Sequence, residues 1–236
     1  MKVDIAAFGP HPDDVELFAG GTLHKMKMLG HTTAIVDLTQ GELGTHGTIV
    51  TRQKESRAAA KILGVETREN LGMPDGNIET SHENRLKIIG ALRKYRPTIV
   101  LAPHPVGRHP DHMRASELIR DASFLAGLRK IDTGQERFMT RQVLYYFEHA
   151  VTGMPDIVVD ITESFNEKMK AVRTYKSQFY NPKQRGPQTY LSRKEYLEEL
   201  EARARFYGSL IGVKYGEAFS VRAPVPVTDP VSVWSE

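Results

Sequence analysis

Short apolar runs and helical patterns alternate from Val3 to Leu125, and this alternation restricts the chain to an α/β fold: a mostly parallel sheet with helices on both faces. Val3–Phe8 is apolar and bounded by Gly9-Pro10, which predicts a buried first strand. Leu17–Leu29 reads as a helix with Gly30 as its stop. Thr32–Leu38 is β-branched and apolar, a second strand, and the glycine-rich loop Gly41–Gly47 follows it. Thr51 is the expected cap of a helix running to Leu63, with Gly64 ending it. Arg68–Leu71 is a short, weak strand that stops at the turn Pro74-Asp75-Gly76. Ser81 caps the next helix, which ends before Pro97, and Thr98–Ala102 is the clearest buried strand. Asp111–Leu125 is again helical.

Beyond that point the pattern is mixed. Gln142–Phe147 and Asp156–Ile161 read as strands, and Glu163–Tyr180 and Arg193–Tyr207 as helices. In the last of these Leu197, Leu200, Ala204 and Tyr207 form an apolar stripe, with Glu199–Arg203 and Glu201–Arg205 as i,i+4 pairs on the wet side. Residues 1–222 read as one domain. Residues 223–236 form a Pro-rich arm in which Trp234, the only Trp, suggests docking.

Of the 236 residues 40% are hydrophobic, enough for a sizeable core. No apolar stretch approaches the ~20 residues of a membrane span, and the N-terminus lacks a secretory pattern, so the expected location is the cytoplasm, with no membrane partner. There is no cysteine, which excludes disulfides, thiolate metal sites and a Cys nucleophile. The net charge of +3 comes without any basic tract, so nucleic acid is not an expected partner.

Two clusters carry the chemistry. Pro10-His11-Pro12-Asp13-Asp14-Val15-Glu16 follows the first strand, and His109-Pro110-Asp111-His112 follows the fourth. Each places imidazole and carboxylate groups at the C-terminal end of a strand, where open α/β sheets bind ligands. His11 and Asp14 can converge on one metal across a strand-to-helix turn, and His112 supplies a third ligand. Three N/O ligands leave a fourth position for water, the arrangement of catalytic zinc. Asp13 is the spare carboxylate and the expected general base, since bound zinc brings the pKa of water to about 7. His109 is the expected oxyanion stabiliser or acid toward a departing amine, oriented by Asp111. Iron(II) suits the same donor set, because availability rather than affinity selects the ion in the cell.

These residues resemble the LmbE-like (PIG-L) zinc-dependent sugar de-N-acetylases. The likeness covers almost the whole chain and extends to Gly20-Gly21-Thr22, Thr51-Arg52-Gln53-Lys54-Glu55, Met73-Pro74-Asp75-Gly76 and Tyr215-Gly216-Glu217-Ala218-Phe219. Within the family the chain is most similar to the bacillithiol-biosynthesis deacetylases, which act on N-acetylglucosaminyl-malate. The resemblance implies the same ligands (His11, Asp14 and His112), the same base and the same acid. It also implies a Rossmann-like fold and a homohexamer. Pro10 stands where relatives more often have Ala and only stiffens the turn.

Arg52, in the first turn of its helix, opposes the macrodipole and is a candidate grip on a substrate carboxylate; its alternative is a salt bridge to Glu55 or Glu16. Arg108 is a second candidate for the same anionic aglycone, or an ordinary surface Arg. Glu16 is expected to be structural. His46 and His104 are open between site and surface, His24, His31, His82 and His149 are read as surface or core residues, and Tyr190 and Tyr196 as packing residues. The Gly41–Gly47 loop lacks the P-loop ending and Gly20-Gly21 the dinucleotide fingerprint, so no NAD is expected. The resulting reading is hydrolysis of the acetamide of a small N-acetylglucosaminide. The alternatives are a deacetylase for another sugar or a related amide, and a catalytically idle sugar-binding module.

Overall fold

The computed structural model describes residues 1–149, 153–182, 185–229 and 231. In chain order the elements are β1 (Ile5–Gly9), α1 (Asp14–Met28), β2 (Thr33–Thr39), α2 (Ile49–Leu63), β3 (Thr67–Met73), α3 (His82–Tyr95) and β4 (Ile99–Pro103). They continue with α4 (Pro110–Leu125), β5 (Gln142–Tyr146), β6 (Ile157–Asp160), α5 (Phe165–Val172), α6 (Tyr196–Leu210) and β7 (Gly216–Val221). The strands form one sheet in the order β3-β2-β1-β4-β5-β7-β6. The first five strands in that order run parallel, and β7 lies antiparallel to both β5 and β6.

The sheet is buried on both sides because successive residues of each strand feed different cores. Ile5, Ala7, Ile35 and Leu101 join the core under α1, α2, α5 and α6. Ala6, Phe8, Ala34, Val36, Val100 and Ala102 join the core under α3 and α4. This is the reason the parallel strands read as continuous apolar runs rather than alternating ones.

Some expectations shift. Thr48, not Thr51, caps α2: its hydroxyl accepts the Thr51 N–H at 3.1 Å. The helix expected over Glu163–Tyr180 ends at Val172, where Thr174 bonds the carbonyls of Ala171 and Glu55 and leads the chain through turns. The last helix lies three residues later than expected, at Tyr196–Leu210. Glu201–Arg205 pairs at 2.8 Å, but Glu199 is taken by Arg193 and Arg203 turns inward to His149. β7 is not among the strands that the pattern predicts, because Gly216 and Glu217 break its apolar run. Trp234 lies outside the described residues.

Candidate metal centre and active site

β1 and β4 are adjacent, and the chain leaves them in opposite lateral directions, to β2 and to β5. Their carboxyl ends therefore flank the topological switch point of the sheet, where such folds open a crevice. The turn after β1 and the first residue of α1 deliver His11, Asp13 and Asp14, and the loop after β4 and the first turn of α4 deliver Arg108, His109 and His112. All six line one cleft of about 290 Å³, together with Phe18, Arg52, Asp75, Glu148 and His149.

One ligand atom from each of His11, Asp14 and His112 lies within 4.8 Å of the others. Asp14 Oδ2 is 3.2 Å from His11 Nδ1 and 3.3 Å from His112 Nε2. The far nitrogen of each imidazole faces a carboxylate: His112 Nδ1 is 2.7 Å from Glu148 Oε2, and His11 Nε2 is 3.0 Å from Asp75 Oδ1 and 3.3 Å from Asp111 Oδ2. A carboxylate behind each imidazole fixes ring and tautomer, which is how metal-ligating imidazoles are generally held. The donor set is N, N and O without sulfur, and it fits a divalent ion of the zinc or iron(II) type.

The electrostatics separate two neighbouring carboxylates. Burial pushes Asp13 up to about 7 against the pull of Arg52, and the Asp14 charge adds to the rise. Burial also opposes ionisation of Asp14, but His112 and His11 outweigh it and hold that carboxyl well below its ordinary value. One carboxylate is thus suited to ligation and its neighbour to proton transfer near neutrality. Burial disfavours charge on His112 and His11 too. For His112 the Asp14 and Glu148 carboxylates prevail and push it up to about 10. For His11 the bonds to Asp111, Asp14 and Asp75 prevail and hold it well above the usual value. His109 is lowered, by burial first and then by the charges of His11 and His112.

Asp13 has φ 129°, a conformation that costs a non-glycine residue about 1–3 kcal/mol. The neighbouring contacts fix it. Thr39 donates both its N–H and its hydroxyl to the Pro10 carbonyl, and Arg52 donates to the Pro12 carbonyl and to Asp13 Oδ2. Arg52 is therefore not a free grip for substrate. Its guanidinium is buried against Asp13 at 3.3 Å, and neither Glu55 nor Glu16 is its partner. Glu16 pairs instead with Arg68 and accepts the Tyr175 hydroxyl, a structural role.

Asp111 also differs from expectation. Its carboxylate faces His11 and accepts the N–H groups of Gly76 at 2.7 Å and Ile78 at 3.3 Å. Only its main-chain N–H reaches His109, donating to Nδ1 at 3.2 Å. Arg108 stands at the cleft with its guanidinium carbon 4.2 Å from the Tyr190 ring centroid. His149, for which the sequence suggests no partner, forms part of the wall: Arg203 donates to its Nδ1 at 2.8 Å and its Nε2 meets the Tyr196 hydroxyl at 2.7 Å. His46 lies outside the metal cluster and contacts the Pro187 carbonyl at 2.8 Å. Sequence reasoning missed Glu148 and Asp75. The only signals were a carboxylate just beyond a buried strand and a turn aspartate that looked sufficient as a turn former.

A family model described as PIG-L, GlcNAc-PI de-N-acetylase, matches residues 6–123, half of the chain. The chain is 33% identical over 224 residues to a diacetylchitobiose deacetylase of Thermococcus kodakarensis, covering 88% of this chain and 79% of that protein. It is 25% identical over 191 residues to a probable N-acetyl-α-D-glucosaminyl L-malate deacetylase 2 of Bacillus cereus, covering 75% and 84%. Among solved structures, a conserved protein of Thermus thermophilus superposes with a TM-score of 0.88 at 38% identity, covering 99% of each chain. The cluster of His11, Asp14 and His112 falls within the matched segment, and this chain belongs to the PIG-L family of metal-dependent N-deacetylases.

Proposed function

We propose that the enzyme removes the acetyl group from a small N-acetylglucosaminide whose aglycone is anionic, N-acetylglucosaminyl-malate in bacillithiol biosynthesis being the substrate of that kind. The observation that carries the deacetylase chemistry is the pairing of a three-ligand cluster with the separate buried carboxylate of Asp13 in one cleft. His11, Asp14 and His112 would hold zinc, which when bound polarises the acetamide carbonyl and acidifies water. Asp13 takes the proton of the attacking water, with Arg52 keeping the carboxylate available at neutral pH. His109 receives the Asp111 N–H at Nδ1 and so keeps its proton on Nε2, from which it stabilises the oxyanion, while the proton that Asp13 took from water passes to the leaving amine. Glu148, Asp111 and Asp75 hold the two ligating rings. By resemblance the active form is a hexamer.

Arg108 supports the anionic aglycone. Its guanidinium carbon lies 4.2 Å from the Tyr190 ring centroid, and no carboxylate pairs with it among the described residues, which leaves it able to meet a substrate carboxylate. A neutral disaccharide is the second reading, favoured by the higher identity to the diacetylchitobiose deacetylase. Acetate release from N-acetylglucosaminyl-malate, N,N'-diacetylchitobiose and free N-acetylglucosamine, measured on wild type and Arg108→Ala, separates the two. Preference for the malate conjugate that collapses in Arg108→Ala supports the first reading. Faster release from the disaccharide, unchanged in the variant, replaces it with the second.

A further inference from the structure

The turn Pro74-Asp75-Gly76 after β3 does more than reverse the chain. Asp75 Oδ1 lies 3.0 Å from His11 Nε2, while Asp75 Oδ2 accepts the Leu43 N–H at 2.8 Å. The Asp75 N–H is donated to Glu42 Oε1 at 2.9 Å, and Glu42 Oε2 accepts the Gln40 N–H at 3.2 Å. One carboxylate therefore bridges an imidazole of the metal cluster and the near half of the glycine-rich segment. The Leu43 side chain, 71% exposed, reaches across Gly76, where any Cβ would sit 2.9 Å from Leu43 Cδ1. The far half is anchored elsewhere: Gln178 donates to the His46 carbonyl at 2.8 Å, and the His46 ring meets the Pro187 carbonyl at 2.8 Å.

We infer that Asp75 is a positioning residue that ties the near half of this segment, Gln40–Gly44, to His11, so that these residues become ordered when the metal site fills. The inference rests on His11 being a metal ligand. An imidazole that ligates through Nδ1 keeps its single proton on Nε2 and loses its freedom to turn. Asp111, the other carboxylate near that nitrogen, already has two main-chain donors, from Gly76 and Ile78. Asp75 is held instead between His11 and the loop, so fixing the ring fixes the acceptor of the Leu43 N–H. By linkage, what metal does to the loop the loop does to metal affinity.

The test is hydrogen–deuterium exchange on chelator-stripped and zinc-loaded protein, with zinc affinity and stoichiometry from calorimetry, for wild type, Asp75→Asn and Asp75→Ala. In wild type, zinc should slow exchange at Gln40–Gly44 by on the order of tenfold and leave the His46 end unchanged. Both variants should bind one zinc, roughly 10–100-fold more weakly, with exchange at Gln40–Gly44 no longer responding. Unaltered exchange in α3 and β4 would show that the fold is retained. Equal protection in the variants, or none in wild type with zinc bound, overturns the coupling. Acetate release followed on the same samples reports on the deacetylase reading separately.

Discussion

At the level of single residues, the site works by setting neighbours apart. Asp13 and Asp14 are adjacent in the chain, yet the helix start at Asp14 turns one toward two imidazoles and leaves the other beside Arg52. Asp13→Asn should leave zinc stoichiometry at wild-type level and lower turnover roughly 10²–10⁴-fold. Loss of zinc in that variant would make Asp13 a ligand. The two imidazoles give a second expectation. The Asp14 and Glu148 carboxylates push His112 up to about 10, and the carboxylates around His11 act on it in the same direction, so both rings favour the protonated form when no metal competes. Both must be neutral to ligate, so zinc binding should release protons and tighten as pH rises. Calorimetry in two buffers of different ionisation heat measures this. A release of none would mean that the rings are already neutral without metal.

At the level of elements, close packing and buried polar bonds hold the site's supports. Gly21 lets α1 approach the chain after β6, because a Cβ there would lie 2.7 Å from Ile161 Cδ1. Glu217 of β7 points into this region, accepts the Gly21 and Thr22 N–H groups at 2.9 and 2.6 Å, and pairs with Lys168 of α5 at 2.6 Å. Both charges are nearly inaccessible, at 3% each, so neither is compensated by water. Lys168→Met should therefore cost about 3–5 kcal/mol, read as a lower denaturant midpoint with unchanged slope. A loss below about 1 kcal/mol would show that the α1 amides alone satisfy Glu217. On the other side of the sheet, Arg93 of α3 caps the end of α4, donating to the carbonyls of Ala126, Leu128 and Ile131 at 2.7–3.1 Å. A buried cation is thus held by main-chain carbonyls at and just beyond a helix C-terminus rather than by a carboxylate.

At the level of the whole molecule, the candidate metal cluster joins segments about a hundred residues apart, the turn after β1 and the start of α4. A ligand that binds only the folded state stabilises it by mass action, about 4 kcal/mol when free metal is a thousandfold above its Kd. Chelation should lower Tm and zinc should restore it in a concentration-dependent way. A Tm indifferent to both would dissociate the cluster from metal. No helix among the described residues is long and apolar enough to cross a membrane. The cleft lies at the switch point of the sheet, and β7 and β6 extend the sheet beyond β5 next to α6, whose Tyr196, Leu200 and Ala204 join the core.

The order of residues alone settles the parallel α/β core, because buried strands and amphipathic helices leave local periodic signals in Val3–Phe8, Thr32–Leu38 and Thr98–Ala102. It also places His11, Asp13, Asp14, His109 and His112, because each motif is short and the chemistry demands those side chains together. It does not reveal β7, whose Gly216 and Glu217 conform to no strand pattern, since the reason for Glu217 lies in α1 and α5. Nor does it assign the partners of Arg52, Asp111, Asp75 and Glu148. A charged side chain a few ångströms from several candidates pairs with the one that burial and backbone geometry bring near. That choice is made by contacts across the sheet's crevice, and these exist only once the strands and helices have packed.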